Sequence, residues 1–292
     1  MANSNCPICD GAGRRKFSVH TPYLDNSQIY DVMRCGACDH IWCVGDISDA
    51  LLQRIYSGSF HQTSQQLAGD GEDVPSPVVA NAKARAAWLR DLGLVGRLLD
   101  VGAGNGYFVR EANHAGFDAE GMDLSEKAVA TARTLSVKVA RGDFMSDDLP
   151  ASTFDVVTMW DVLCGFPDPQ AAMRRAAMLL RPGGKLVFTV ADGSSWIARW
   201  SGRYWPLLIP PVNLHYFSRE SIQRLLTAHG MEMCQFEPRG KQLSVRFVWQ
   251  KVLRMLRLAP LETKIAAHIP LGWQIRLNLG DIATVVADRK VG

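Results

Sequence analysis

The sequence predicts an α/β protein, a doubly wound and mostly parallel sheet behind a small cysteine-paired module. Three observations predict it. Apolar runs alternate with helical patterns from Arg97 onward. The first of these runs ends in a glycine-rich bend, "LLDVGAGNGYF" (Leu98 to Phe108). Ahead of them lie two C-x2-C pairs within the first 44 residues.

Taken in order, residues 1–44 form the cysteine module and residues 45–95 a linker or lid with a helical cap. The lid is the polar stretch Ser57 to Pro77, rich in Gly, Ser and Gln. The cap is the alanine-rich "NAKARAAWLRDLG", stopped by Gly93. The α/β domain fills 96–292, with insertions at about 193–217 and 239–276. Its strands are "RLLDVGAG", "FDAEGMDLS", "VKVARGD", "TFDVVTMWDV" and "KLVFTVAD". The helix "DPQAAMRRAAMLLRPGG" is expected to stop at Pro-Gly-Gly. "SRESIQRLLTAHG" reads as a helix with Ser218 as N-cap, and "MEMCQFEP" and "GDIATVVADRK" as the last two strands.

Composition narrows the function classes. The chain has 292 residues, 47% hydrophobic and 21% charged, as in globular proteins. No run approaches the roughly 18 to 20 apolar residues of a membrane span, and the polar start argues against a secretory signal, so a cytoplasmic location is expected. The net charge of +3 is uneven: residues 239–290 carry +7 and residues 1–238 carry −4. The cysteine module holds only Arg14, Arg15, Lys16 and Arg34, which argues against nucleic acid as a partner.

Cys6, Cys9, Cys35 and Cys38 have the spacing of a tetrahedral four-sulfur zinc site. Four thiolates leave no open position, so the zinc is expected to be structural. Cys43 and His40 lie close enough in sequence to serve as substitute ligands.

Acids fall where the first three parallel strands end: Asp100, Asp123 and Asp143. In such a sheet these ends face the ligand crevice. Asp123 is suited to a ribose diol, Asp143 to an adenine amino group, and the Phe144 N–H to a ring nitrogen. Gly102, Gly104 and Gly106 give G-x-G-x-G, one residue short of the dinucleotide fingerprint. Asp100 is unfavourable beside a pyrophosphate and suits a cation, such as the ammonium and sulfonium of S-adenosylmethionine.

Here the chain resembles the class I S-adenosylmethionine-dependent methyltransferases, through "LLDVGAGNGYF", "GMDLSEKAVATAR", "RGDF", "FDVVTMWDVL", "LRPGGKLVFTV" and "NLHYFSRESIQRLLTAHG". The resemblance implies a Rossmann-like seven-stranded sheet with an antiparallel last strand. It implies cofactor contacts at Asp100, Gly102, Gly104, Gly106, Asp123, Leu124, Asp143, Phe144 and Trp160. Family members often have a Glu-His pair after the fourth strand; this chain has Cys164-Gly165. The candidate catalytic residues are therefore His215, then Asp161 and Tyr216.

The resemblance also bears on the acceptor. Trp196, Trp200, Tyr204 and Trp205 are expected to wall or cover an acceptor pocket. A small-molecule, glycan or glycolipid-type acceptor is expected, and RNA base methylation guided by the zinc ribbon is the alternative. Residues 244–258 form a basic amphipathic helix, with Val245, Val248, Trp249 and Val252 opposite Arg246, Gln250, Arg254 and Arg257. That face is expected to pack on the domain, on a second subunit in a homodimer, or on a membrane surface.

Overall fold

The computed structural model describes residues 5–21, 28–48, 50–52, 76–255, 268–270 and 272–290. Most of the expected lid and the end of the basic helix lie outside them. The amino-terminal module forms strands β1 (Gly13–His20), β2 (Ile29–Cys35) and β3 (Ile41–Val44).

Helix α1 (Pro77–Asp91) starts where Ser76 accepts the Val78 N–H at 3.2 Å with proline in the first turn, and it buries Ala82, Ala86 and Leu89 along one stripe. Then follow β4 (Arg97–Val101), α2 (Tyr107–His114), β5 (Asp118–Asp123), α3 (Glu126–Thr134), β6 (Val139–Arg141), β7 (Phe154–Met159), α4 (Pro169–Leu179) and β8 (Leu180–Ala191). After them come α5 (Trp196–Ser201), β9 (His215–Tyr216), α6 (Arg219–Ala228) and β10 (Met231–Pro238). The chain closes with β11 (Lys241–Ser244), α7 (Val245–Met255), β12 (Gln274–Leu277) and β13 (Ile282–Arg289).

Seven strands form one sheet in the order β10-β13-β8-β7-β4-β5-β6. The inner pairs are parallel, and β13 runs antiparallel to both β8 and β10. This is the expected Rossmann-like sheet with an antiparallel last strand. One local expectation fails. Helix α4 ends at Leu179, and Arg181-Pro182-Gly183-Gly184 lies within β8. Leu180 is already paired with Phe154, and the register shifts before Val156 meets Lys185, so the Pro-Gly-Gly segment is absorbed as a bulge. No described helix is long and apolar enough to cross a membrane.

The cysteine module is fused to this sheet. A second, four-stranded sheet has the order β1-β2-β3-β9, so its last strand comes from the insertion after β8. Trp42 pairs with His215 and Ile41 with Tyr216. Cys6, Ile8, Tyr30 and Trp42 share one buried cluster with Leu163, Phe188 and Phe217 of the α/β domain. Ser218 closes the seam: it caps α6 in a reciprocal box with Ser221, and its hydroxyl donates to the Cys38 carbonyl at 2.7 Å. Gln170 of α4 donates to the Ile8 carbonyl at 2.9 Å.

In α7, Val245, Val248 and Val252 are half-buried, Leu253 is buried and Trp249 is exposed. Ser218→Ala removes a cap and a buried hydrogen bond at once. It is expected to cost about 2 kcal/mol in urea unfolding, with Ser218→Thr retaining most of that.

Candidate functional site

The crevice lies at the carboxyl ends of β4, β5, β6 and β7. After β4 the chain turns through Gly102, Gly104 and Gly106, at φ +71°, +54° and +78°. Left-handed backbone at alternate positions is what the G-x-G-x-G spacing supplies. The Gly102 and Ala103 N–H groups both donate to the Met122 carbonyl, at 2.9 and 3.0 Å, which straps the bend to β5.

The three glycines differ in what surrounds them. A Cβ on Gly102 would lie 2.5 Å from Val162, and one on Gly106 2.7 Å from Val137. A Cβ on Gly104 would meet nothing within 4 Å. The outer two are therefore needed for packing, and Gly104 alone faces open space.

Asp123, at the end of β5, is 8% exposed; its carboxylate accepts the Gly104 N–H and the Ser125 N–H, each at 2.8 Å. It both orders the bend and retains lone pairs for a ligand. Asp100 is buried at the end of β4 and accepts the Thr158 hydroxyl at 2.7 Å. Burial pushes its carboxyl up to about 7, against the Thr158 hydrogen bond and the nearby Arg85 charge. Asp143 accepts the Met145 N–H at 2.8 Å, Phe144 is buried with its ring 5.7 Å from Phe166, and Leu124 is exposed beside Asp123.

Trp160 follows β7. It meets the edge of Phe108 at 5.3 Å, and the Arg85 guanidinium lies over its ring at 4.5 Å. Among the described residues its buried Nε1 has no hydrogen-bond partner. Asp161 has φ +63° and is held from four sides: its N–H donates to the Thr189 hydroxyl at 2.7 Å, that hydroxyl donates back at 2.9 Å, Lys241 reaches both carboxylate oxygens at 2.7 Å, and Arg85 lies at 3.1 Å. Desolvation alone would raise the Asp161 carboxyl, but Lys241 and Arg85 hold it well below its usual range.

His215 and Tyr216 lie in the seam with the cysteine module, both buried. His215 Nδ1 is 3.1 Å from His40 Nε2, their rings stack at 5.3 Å, and His215 also hydrogen-bonds the Phe166 and Pro167 backbone. Burial pushes His215 down to about 4, so it is neutral at pH 7. The Tyr216 hydroxyl donates to the Asn213 carbonyl at 2.8 Å and accepts the Ile209 N–H at 3.2 Å.

Sequence reasoning missed Arg85, Thr158, Thr189 and Lys241. Arg85 and Lys241 reach Asp161 across 76 and 80 residues, and no local spacing marks such a pairing.

The Sγ atoms of Cys6, Cys9, Cys35 and Cys38 all lie within 4.8 Å of one another. Cys6–Cys38, Cys9–Cys35 and Cys9–Cys38 are 3.6, 3.5 and 3.4 Å apart. Zinc–sulfur bonds of about 2.3 Å imply sulfur–sulfur edges of about 3.8 Å, so the donor set fits the metal. The Ile8 and Ala37 N–H groups point at Cys6 and Cys35 Sγ, at 3.4 and 3.3 Å. The expectation of substitute ligands is corrected: His40 faces His215, and Cys43 is buried outside the cluster.

A family model described as a methyltransferase domain matches residues 74–235, more than half of the chain. The ubiquinone biosynthesis O-methyltransferase of Bordetella avium is 34% identical over 133 residues, 42% of this chain and 55% of that protein. Its counterpart in Aromatoleum aromaticum is 36% identical over 117 residues, 37% and 50%. The chain thus spans about half the length of the curated relatives it matches. Among solved structures, the magnesium protoporphyrin IX methyltransferase of Synechocystis PCC 6803 with bound SAH aligns with TM-score 0.56 and 16% identity, over 83% of this chain and 100% of that one. A SAM-dependent methyltransferase of Thermotoga maritima gives 0.54 and 19%, over 82% and 100%. At such identities the likeness is one of fold. With the matched segment running through the glycine bend and all three crevice aspartates, this chain belongs to the methyltransferase domain family.

Proposed function

We propose that the chain is an S-adenosylmethionine-dependent methyltransferase acting on a small-molecule or glycan-type acceptor, with a structural zinc in its amino-terminal ribbon. One arrangement carries this reading: Asp100, Asp123 and Asp143 end adjoining strands around a bend in which Gly104 faces open space. In this reading Asp123 binds the ribose, and Asp143 with the Phe144 N–H binds the adenine. Asp100 and the unpartnered Trp160 Nε1 face the methionine part, a cation carrying an acceptor for that donor. The cofactor supplies a methyl group on an already activated sulfonium. The protein's part is alignment and exclusion of water.

His215 and Tyr216 are assigned to holding the acceptor-side loop, not to moving protons. His215 is buried, neutral and hydrogen-bonded to His40, and Tyr216 is bonded on both sides of its hydroxyl. Asp161 is tied up by two cations and also serves position. The O-methyltransferase names of the relatives favour a hydroxyl acceptor. Against RNA, Arg34 pairs with Asp39 and Arg15 with Asp31, so much of the ribbon's positive charge is neutralised.

Calorimetry tests the cofactor. SAM and S-adenosylhomocysteine are expected to bind and NAD not. Asp123→Ala should weaken both by at least tenfold, because it removes the ribose partner and the support of Gly104. A folded, zinc-loaded protein that binds neither sinks the reading.

Metal analysis is expected to find one zinc per chain. Cys9→Ser or chelation should lower both occupancy and the thermal midpoint.

Asp100 supplies a pH dependence. Its folded carboxyl titrates near 7 and its unfolded one near 3.9, so the folded state holds the extra proton between these values. Stability then falls as pH rises through that window and levels off above it. Relative to Asp100→Asn, the wild type is expected to lose about 3 kcal/mol between pH 5 and pH 8, read from urea midpoints.

A further inference from the structure

The hairpin beyond the edge of the sheet carries charge that cofactor binding does not use. Strands β11 and β12 pair antiparallel, with Lys241 opposite Leu277 and Gln242 opposite Arg276. Helix α1 holds this hairpin: Asn81 donates to the Gln242 carbonyl and accepts its N–H, each at 2.8 Å. At its root Glu237, Pro238, Arg239, Gly240, Arg276 and Asn278 line an open cavity of about 370 Å³.

Arg239 and Arg276 both line this cavity, and so does Glu237. Arg239 stacks on Trp88 at 4.1 Å, which fixes the plane of its N–H fork. Arg276 is exposed on the opposite strand. Among the described residues neither has a carboxylate within ion-pair distance. Burial disfavours the charged form of Arg239, the Glu237 charge opposes this, and the neighbouring Arg276 charge adds a smaller push the other way. Two arginines that line one open cavity without an ion pair offer forks to an anion placed between them. The hairpin is also pinned shut there, since a Cβ on Gly240 would lie 2.9 Å from the Leu277 carbonyl oxygen. Two residues on, Lys241 reaches Asp161, the residue after Trp160, so the same hairpin touches the rim of the crevice.

We propose that the Arg239–Arg276 cavity is an acceptor subsite for an oxyanion, phosphate or carboxylate, carried by the molecule that is methylated. The guanidinium forks match such groups in bidentate geometry. The assignment rests on the methyltransferase reading for the word acceptor; the anion site itself does not.

Calorimetry with inorganic pyrophosphate and with succinate, at low and moderate salt, tests it on the full chain. One probe is expected to bind the wild type and to bind Arg276→Gln and Arg239→Gln at least tenfold more weakly. S-adenosylhomocysteine affinity should stay within twofold. Arg239→Lys should recover little, because it keeps the charge and loses the fork. The proposal is overturned if neither probe binds, if the variants bind as the wild type does, or if S-adenosylhomocysteine competes with the probe. Absent S-adenosylhomocysteine binding with intact anion binding would instead remove the methyltransferase reading alone. With labelled methyl donor and fractionated extract, the product should be retained on an anion exchanger. Release by phosphatase assigns a phosphate, and retention after phosphatase a carboxylate; a neutral product rejects the acceptor role.

Discussion

Everything in the crevice depends on the position of β4 at the centre of a parallel sheet, between β5 and β7. Right-handed crossovers leaving it toward opposite edges bring the carboxyl ends of neighbouring strands to one side and open a gap where the order reverses. Asp100, Asp123 and Trp160 are far apart in sequence and meet because of that geometry. The bend after β4 then has to cross the gap tightly. Met122 supplies the strap, Asp123 the support, and glycine the only backbone that turns left-handed three times without a side chain striking Val162 or Val137.

A second constraint acts from the other end of the chain. A module of about 40 residues has too little apolar surface to stand alone, and here it does not. Its sheet takes β9 as a fourth strand, and its buried residues merge with the core of the α/β domain. The His40–His215 pair lies in this seam, with Leu214 donating to the Cys164 carbonyl at 2.7 Å and Cys43 to the Leu214 carbonyl at 2.9 Å. The ribbon thereby fixes the loop after β7, where family members often carry Glu-His. His215, which the motif suggests for chemistry, lies where the two sheets join.

The contrast between legible and hidden features follows from range. The strand–helix alternation, the glycine bend, the acids at strand ends and the paired cysteines are local patterns, and the chain's fold follows them closely. Pro-Gly-Gly after α4 misled because a bulge absorbs those residues as well as a turn does, and only the partner strand decides between them. The setting of His215 was hidden because β3, more than 170 residues earlier, determines it. Arg85 sits in an alanine-rich helix whose composition gives no hint of a partner, and Lys241 in a hairpin that reads as an insertion.

Those two cations change how the site works. Asp161 stands in a left-handed conformation that a non-glycine residue adopts only when its surroundings over-determine it. Thr189 fixes its backbone and carboxylate together, while Lys241 and Arg85 neutralise it twice over. The result is a net positive group beside Trp160, in which Arg85 also favours the ionised form of Asp100 against the burial that raises it to about 7. A cation entering beside Asp100 favours its ionised form and so draws the two halves of the crevice toward opposite charge.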